Sequence, residues 1–482
     1  MILRKGLLSV AAAAVAFSGA FAQAQGISLL RDAEIEKYLD DYSRPIFRAA
    51  GINEDSIQIL IVNDQTMNAF AGGRYMGVNT GMITTVQTPN QLEGVIAHEA
   101  GHIAGGHTAR NDDAIASATR PMLLSLLLAA GAVAAGAPEA GIGLLGLGQN
   151  VGMANYLRYS RGQESTADQS SITYLDRVGH SSKGSLELWS NVRNSQIIRG
   201  RKINPFLQTH PLANDRLVAL RQRAEASEYF DVKDSPEEIL RLQYIQAKIR
   251  GFLNDPNATL RHYPLSDQSG PAHYARAVAY YRQSKIDPAL KEIRTLTEQQ
   301  PDNPYFHELE GQILFEYGRP NEAVGPHTQS VELLPDNALL RINLGRTLLA
   351  TDEPKNIEEA VTEFKRALLL ETDNSFGWFE LARAYSALDN DAMANLATAE
   401  SRYYAGAKPD ANVFARRAMA GLKKGTPEWR HAADIILASQ PAEGGAALPG
   451  GIEEEAPAPK PAPETSQRPD VPDPTIPDNN NL

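Results

Sequence analysis

The chain has 482 residues, of which 43% are hydrophobic and 22% charged, as is typical of a globular protein with two or three domains. Its formal net charge of −12 argues against a nucleic-acid partner, because phosphate binding requires clustered Lys and Arg side chains. It contains no cysteine, which excludes both a disulfide framework and a lipid-modified N-terminal cysteine.

The first 24 residues have the pattern of a secretory signal peptide. Arg4 and Lys5 precede an uncharged apolar run, and either Ala20 with Ala22 or Ala22 with Ala24 fits an A-x-A cleavage site. We therefore predict that the protein is exported to a periplasm-like space. There it would be either soluble or attached peripherally to a membrane.

Residues 25–227 mix helical and strand patterns and predict an α+β domain, mostly helical with a small sheet. The stretch LLRDAEIEKYLDDYSRPIF, residues 29–47, has the apolar periodicity of an amphipathic helix. IQILIVND, residues 57–64, is rich in β-formers. The Gly-flanked stretch GGRYMGVNTG, residues 72–81, predicts an exposed edge strand along which an extended substrate would lie.

The stretch EGVIAHEAGHIAGGH, residues 93–107, contains three of the ten histidines of the chain. His98 and His102 are four residues apart, so on a helix both imidazoles project from one face and can bind one cation. Imidazole nitrogens are good zinc ligands, and zinc with an open coordination position lowers the pKa of water to about 7. Glu99, beside them, would accept the proton of that water.

Two histidines on a buried helix require a third ligand, and the sequence offers two possible sources of that ligand. A metzincin-type histidine would lie ten residues after His98, but position 108 is a threonine and His107 is one residue early. The stretch at 159–175 instead places Glu164 and Asp168 four residues apart on one helix face. Glu164 would complete the ligand set, and Asp168 would hold the far ring nitrogen of a ligand histidine.

Between these two helices lies an apolar stretch, residues 121–148, whose only charged residue is Glu139. Pro138 and Glu139 interrupt it after sixteen uncharged residues, which is short of the roughly twenty that a transmembrane helix needs. The stretch would cover the cleft, insert into a membrane surface or span the bilayer. We favour the cover.

From residue 234 to 440 the pattern becomes helical and repeats. PDN at Pro301 recurs at Pro335, and Gly311 recurs at Gly345, which gives a period of 34 residues. This period, with small residues in both helices of each unit, resembles the tetratricopeptide repeat and predicts an all-α solenoid. The predicted repeats cover 272–304, 305–338, 339–375 and 376–411.

The C-terminal 441–482 segment differs in composition from the rest of the chain. It contains ten of the 29 prolines and eight acidic residues, against Lys460 and Arg468 as its only basic residues. Such a segment cannot bury a core, and we predict that it is disordered.

Six motifs occur in the order and approximate spacing of the HtpX and CAAX-prenyl-protease type of zinc metallopeptidase, which residues 28–222 resemble. They are LLRDAEIEKYLDDYSRPIFRAAGI, ILIVNDQTMNAFAGG, VNTGMI, QLEGVIAHEAGHIAGGH, YSRGQESTAD and THPLANDR. The resemblance implies a zincin-like metallopeptidase domain over 25–227. It also implies one zinc ion per monomer, with His98, His102 and Glu164 as its ligands. Glu99 would be the general base. Asp168 would support the site or donate a proton.

The motif THPLANDR contributes two further candidates, His210 and Arg216. Either would stabilise the oxyanion that forms during peptide hydrolysis. His210 would alternatively occupy the open position of the zinc ion and keep the enzyme inactive. It would otherwise cap a turn before Pro211.

With an export signal in front and repeats behind, the resemblance implies a periplasmic endopeptidase and chaperone, peripheral to the outer membrane. Its substrates would be unfolded or misassembled outer-membrane proteins, and the repeats at 234–440 would dock it to the assembly machinery. One alternative is a non-catalytic chaperone or adaptor with a vestigial zinc site, which the intact Glu99 disfavours. The other is a structural zinc protein, disfavoured because closed structural sites have four protein ligands.

Overall fold

A computed structural model of the protein describes residues 28–107, 160–199, 210 and 214–440. The predicted signal peptide, the apolar stretch at 121–148 and the predicted disordered tail lie outside the described residues. Among the helices that are described, none is long and apolar enough to cross a membrane.

The N-terminal part of the described chain combines a small sheet with six helices. The strands are β1 (Leu29–Leu30), β2 (Gln58–Val62), β3 (Ala69–Gly72) and β4 (Tyr75–Asn79). The helices are α1 (Ala33–Ala49), α2 (Thr80–Thr85), α3 (Pro89–Ala104), α4 (160–178), α5 (Lys183–Arg199) and α6 (Asn214–Glu225). They share one apolar core, so the predicted mostly helical α+β architecture is confirmed.

The sheet has the strand order β1-β2-β4-β3. β4 is parallel to β2 and antiparallel to β3. Phe70 of β3 pairs with Gly77 of β4. The prediction that residues 72–81 form an edge strand is therefore wrong, because β4 is hydrogen-bonded on both sides. Among the described strands the edge beside β4 is β3, and Gly73, with a φ of +59°, makes the tight turn between the two.

The helix predicted from residue 29 begins later than expected. Residues 29–30 form β1 and pair with β2, and α1 starts at Ala33. Asp32 sets this boundary, because its carboxylate accepts hydrogen bonds from the backbone amides two and three residues later. Leu29 and Leu30 fit the apolar periodicity of the helix, so the pattern alone did not show that they form a strand.

The C-terminal part of the described chain is helical, and from residue 270 its helices are paired. After α7 (Pro236–Leu253) and α8 (Pro256–His262) come α9 (Gly270–Arg282) with α10 (Ile286–Gln299), α11 (Pro304–Glu316) with α12 (Pro320–Leu333), α13 (Ala338–Ala350) with α14 (Pro354–Leu370), α15 (Ser375–Ala387) with α16 (Asp391–Tyr404), and α17 (Lys408–Gly421) with α18 (Pro427–Ala438). Successive pairs pack against each other, which confirms the predicted all-α repeats. The pair α17 and α18 follows the last predicted repeat.

Small residues allow the helices of a pair to approach closely, as the repeat pattern predicts. A side-chain carbon on Gly311 would lie 2.3 Å from the ring of His327 in α12. One on Gly345 would lie 2.6 Å from the ring of Phe364 in α14. Ala360, in the same helix as Phe364, is completely buried.

Helix α7 packs against both parts of the chain. Leu242 and Ile245 belong to the core of the α+β domain, whereas Tyr244 and Phe252 lie in the core of the first repeats. The boundary predicted between 227 and 234 falls just before this helix. The two parts are thus joined by a shared helix.

A buried ion cluster connects α7 to the start of α1. The Nζ of Lys248, whose side chain is 3% exposed, lies 2.8 Å from Asp32 Oδ2 and 3.2 Å from Glu34 Oε2. The hydroxyl of Tyr274, in α9, donates to Glu34 Oε2 over 2.8 Å. Burial opposes the charge on Lys248, but the neighbouring acidic groups outweigh it and raise the pKa of Lys248 well above its usual value.

Candidate metal centre

Helix α3 presents the HEAGH motif from the interior of the fold. The side chain of Thr88 caps the helix, Pro89 occupies its first turn, and the residues from there to Gly101 are all buried. His98 and His102 lie one turn apart on the same face. Their Nε2 atoms are 3.1 Å apart.

Helix α4 supplies Glu164 because it lies close to α3. A side-chain carbon at Gly101 would lie 2.9 Å from the Cα of Ala167, so the glycine of HEAGH permits this approach. Glu164 Oε1 is 3.4 Å from His102 Nε2, and Glu164 Oε2 is 3.5 Å from His98 Nε2. The structure therefore brings together the three residues predicted as ligands.

His210 joins the same cluster from a distant part of the sequence. Its Nδ1 lies 3.2 Å from His98 Nε2 and 3.3 Å from Glu164 Oε2. Its Nε2 lies 3.4 Å from Oε1 of Glu99, which is 1% exposed. Glu99 thus stands beside the cluster, and its Oε1 receives no hydrogen bond from any described residue.

The donor atoms of the cluster fit a zinc ion in kind and in spacing. One nitrogen or oxygen atom each from His98, His102, Glu164 and His210 lie within 4.8 Å of one another. Ligand atoms of a tetrahedral zinc ion with bonds of about 2.0–2.1 Å are separated by about 3.3 Å. The contact distances within the cluster run from 3.1 Å, between the two α3 histidines, to 3.5 Å, between His98 and Glu164, and they bracket this value.

Asp168 and Arg216 lie behind the cluster. Asp168 follows Glu164 by one turn of α4, and its Oδ1 is 3.1 Å from His98 Nδ1, the ring nitrogen that faces away from the cluster. This is the contact expected of a carboxylate that supports a ligand histidine. Arg216, in α6, donates to both oxygens of Asp168, and its Nη1 lies 3.1 Å from Glu164 Oε2.

The contacts decide the charges of these groups. Burial disfavours the ionised form of Glu164, but hydrogen bonds with the three histidines outweigh it and hold its pKa far below the ordinary value. The pKa of Asp168 is lowered in the same way, against burial, by His98 and Arg216. Burial would lower the pKa of His98, but the two carboxylates raise it to about 10. A metal ion bound by His98 would compete with a proton for the same ring nitrogen.

Two further side chains contact the ligand candidates, and the sequence reasoning gave neither a role. His107 Nδ1 lies 2.9 Å from His102 Nδ1, the ring nitrogen on the far side from Glu164. The ring of Trp189, in α5, meets the ring of His98 edge-on with the centroids 5.8 Å apart. The density of histidines after the motif could have indicated His107, whereas Trp189 belongs to no recognised motif.

Known proteins resemble this chain over most of its length. Residues 30–224 match the model of peptidase family M48. The beta-barrel assembly-enhancing protease of Escherichia coli K12 is 26% identical over 412 residues, which cover 83% of this chain and 81% of that protein. The protein of the same name from Yersinia pestis is 24% identical over 414 residues, with 83% and 82% covered. Among solved structures, the match to MamA is 18% identical and covers 34% of this chain and 91% of MamA, with a TM-score of 0.26.

Proposed function

We propose that the protein is a zinc-dependent endopeptidase, because residues 30–224 match the model of peptidase family M48. The observation that carries this proposal is the buried His98, His102, Glu164 and His210 cluster with Glu99 at its side. In this proposal the two α3 histidines and Glu164 hold one zinc ion per chain. A bound zinc ion polarises the scissile carbonyl and lowers the pKa of water.

Glu99 is the proposed general base. Its carboxylate is buried next to the cluster, with Oε1 3.4 Å from His210 Nε2, and this position is the one required of a group that takes a proton from water at the metal. Asp168 is proposed to orient His98 through Nδ1, which directs Nε2 towards the metal. We assign no proton transfer to Asp168, because its contacts with His98 and Arg216 lower its pKa and so favour the carboxylate form.

His210 is proposed to keep the resting enzyme inactive. Its Nδ1 takes the fourth corner of the cluster, which the attacking water must reach during hydrolysis. The imidazole would have to leave this corner for turnover.

The two relatives named above are beta-barrel assembly-enhancing proteases, and we extend that role to this chain. In this proposal the protein is periplasmic, peripheral to the outer membrane, and degrades misassembled outer-membrane proteins while also acting as a chaperone. The repeats after residue 270 would dock it to the assembly machinery. Membrane contact through 121–148 stays a prediction.

The competing function is a non-catalytic adaptor that works through its repeats, and proteolysis assays separate the two. Purified protein is incubated with casein and with an unfolded outer-membrane protein, with and without chelator, beside a Glu99→Gln variant. We expect cleavage by the wild type, loss on chelation, recovery with zinc and no cleavage by the variant. Equal protection of the substrate from aggregation by all samples, with no cleavage in any, would favour the adaptor.

A further inference from the structure

Arg216 is a buried charged residue for which the proposed mechanism has no use. Its side chain is 5% exposed. A buried guanidinium needs charged partners, because an unpaired buried charge is strongly destabilising. What Arg216 contacts therefore indicates why it is buried here.

Two charged partners of Arg216 lie on α4, one turn apart. Nε and Nη2 form a fork on Asp168, with distances of 2.8 Å to Oδ2 and 2.9 Å to Oδ1. Nη1 lies 3.1 Å from Glu164 Oε2. One planar group thus fixes the orientation of two carboxylates at once.

These two carboxylates contact different sides of the same histidine. Glu164 Oε2 lies 3.5 Å from His98 Nε2, on the metal side, and Asp168 Oδ1 lies 3.1 Å from His98 Nδ1, on the far side. The orientation of Arg216 therefore determines where both carboxylates meet the ring.

Trp189 holds the guanidinium from the other direction. The guanidinium carbon of Arg216 lies 5.6 Å from the centre of the Trp189 ring, within cation–π range. The same ring meets His98 edge-on. Arg216, Trp189 and His98 are consequently packed as one unit.

The formal charges of the site also indicate a structural reason for a buried Arg216. Three buried carboxylates, Glu99, Glu164 and Asp168, surround the cluster. With the positive charge of Arg216 and a divalent cation, the sum of formal charges is zero. Without Arg216 the site would carry an excess negative charge in a buried location.

We propose that Arg216 is a positioning residue that fixes Glu164 and Asp168 in the geometry required for metal binding, and that it does not act on the oxyanion. The inference rests on the proposed zinc site. Each of the three guanidinium nitrogens of Arg216 contacts a carboxylate of α4, which is the arrangement that a positioning role requires.

The test compares Arg216→Lys and Arg216→Met with matched changes at Arg223, which also lies on α6 and reaches α4, but at an exposed position through Thr173. Zinc affinity is measured by competition with a chelator. The visible spectrum of the cobalt-substituted protein reports the coordination geometry. Thermal unfolding of the metal-free proteins checks the fold.

We expect both Arg216 variants to bind zinc about 10- to 100-fold more weakly, the usual effect of losing a residue that orients metal ligands. Their cobalt spectra should change as well. Arg216→Lys should lose as much zinc affinity as Arg216→Met, because an ammonium group cannot form the two-pronged contact with Asp168. The Arg223 variants should match the wild type in both measurements.

Unchanged zinc affinity and cobalt spectrum with a lowered kcat would overturn the proposal in favour of an oxyanion role. If the Arg216 variants do not fold, Asp168→Asn serves as the second test, because it weakens the contact between Arg216 and Asp168. We expect it to give the same change in the cobalt spectrum. A spectrum like that of the wild type would overturn the proposal. A wild-type protein that binds no zinc would instead refute the proposed function itself.

Discussion

The ion cluster between α7 and α1 leads to a quantitative prediction for Lys248→Met. Methionine keeps most of the aliphatic volume, so the change chiefly removes the positive charge between Asp32 and Glu34. Removing one partner of a buried ion pair costs about 3–5 kcal/mol, because the remaining charge is uncompensated. We expect the free energy of unfolding to fall by this amount at about pH 8.

The loss should shrink at lower pH. Burial raises the pKa of Glu34, and Lys248 is the main influence that lowers it. Without Lys248 the folded-state pKa rises further above its unfolded value, so the variant gains stability as pH falls and Glu34 takes up a proton. We therefore expect the difference from the wild type to be smaller at about pH 5 than at about pH 8.

Urea unfolding followed by circular dichroism measures both effects, provided that the slopes of the two proteins agree. Lys291→Met, an exposed lysine on α10, is the matched control and should change stability by less than about 0.5 kcal/mol. A loss for Lys248→Met no larger than that of the control, or one independent of pH, would refute the reasoning.

Two other predictions concern Glu308 and His210. Glu308 lies in α11, and burial raises its pKa to about 7, so its ionisation destabilises the fold as pH rises from about 4.5 to 7. Glu308→Gln should raise the free energy of unfolding by up to about 3 kcal/mol near pH 8 and leave it unchanged near pH 4; equal effects at both would contradict this. His210→Ala should increase cleavage of unfolded outer-membrane protein if the imidazole blocks the metal, whereas zinc retention without cleavage would indicate oxyanion stabilisation instead.

The ligand cluster could be predicted in large part from the sequence because its geometry is local. The four-residue spacing places His98 and His102 on one helix face, and the same spacing places Glu164 and Asp168 on another. The contacts of Arg216 could not be predicted, because nothing in THPLANDR fixes its distance from α4. They depend on how α6 packs against the rest of the core.

The order of the strands in the sheet could not be predicted from the sequence, for a related reason. Alternation of side chains indicates which face of a strand is buried, but it does not identify the neighbouring strands. The burial of β4 from Met76 to Asn79 follows from its parallel pairing with β2, a contact between distant residues. The role of α7 in two cores likewise depends on tertiary packing, because its apolar residues serve both.

The central claim is that His98, His102 and Glu164 hold one zinc ion that Glu99 uses for peptide hydrolysis. The most direct measurement is zinc content and cleavage rate on the same preparations of wild type, Glu99→Gln and a His98→Ala, His102→Ala double variant. We expect one zinc per chain in the first two proteins, none in the third, and cleavage by the wild type alone. Full zinc in the double variant, or equal cleavage by wild type and Glu99→Gln, would contradict the claim.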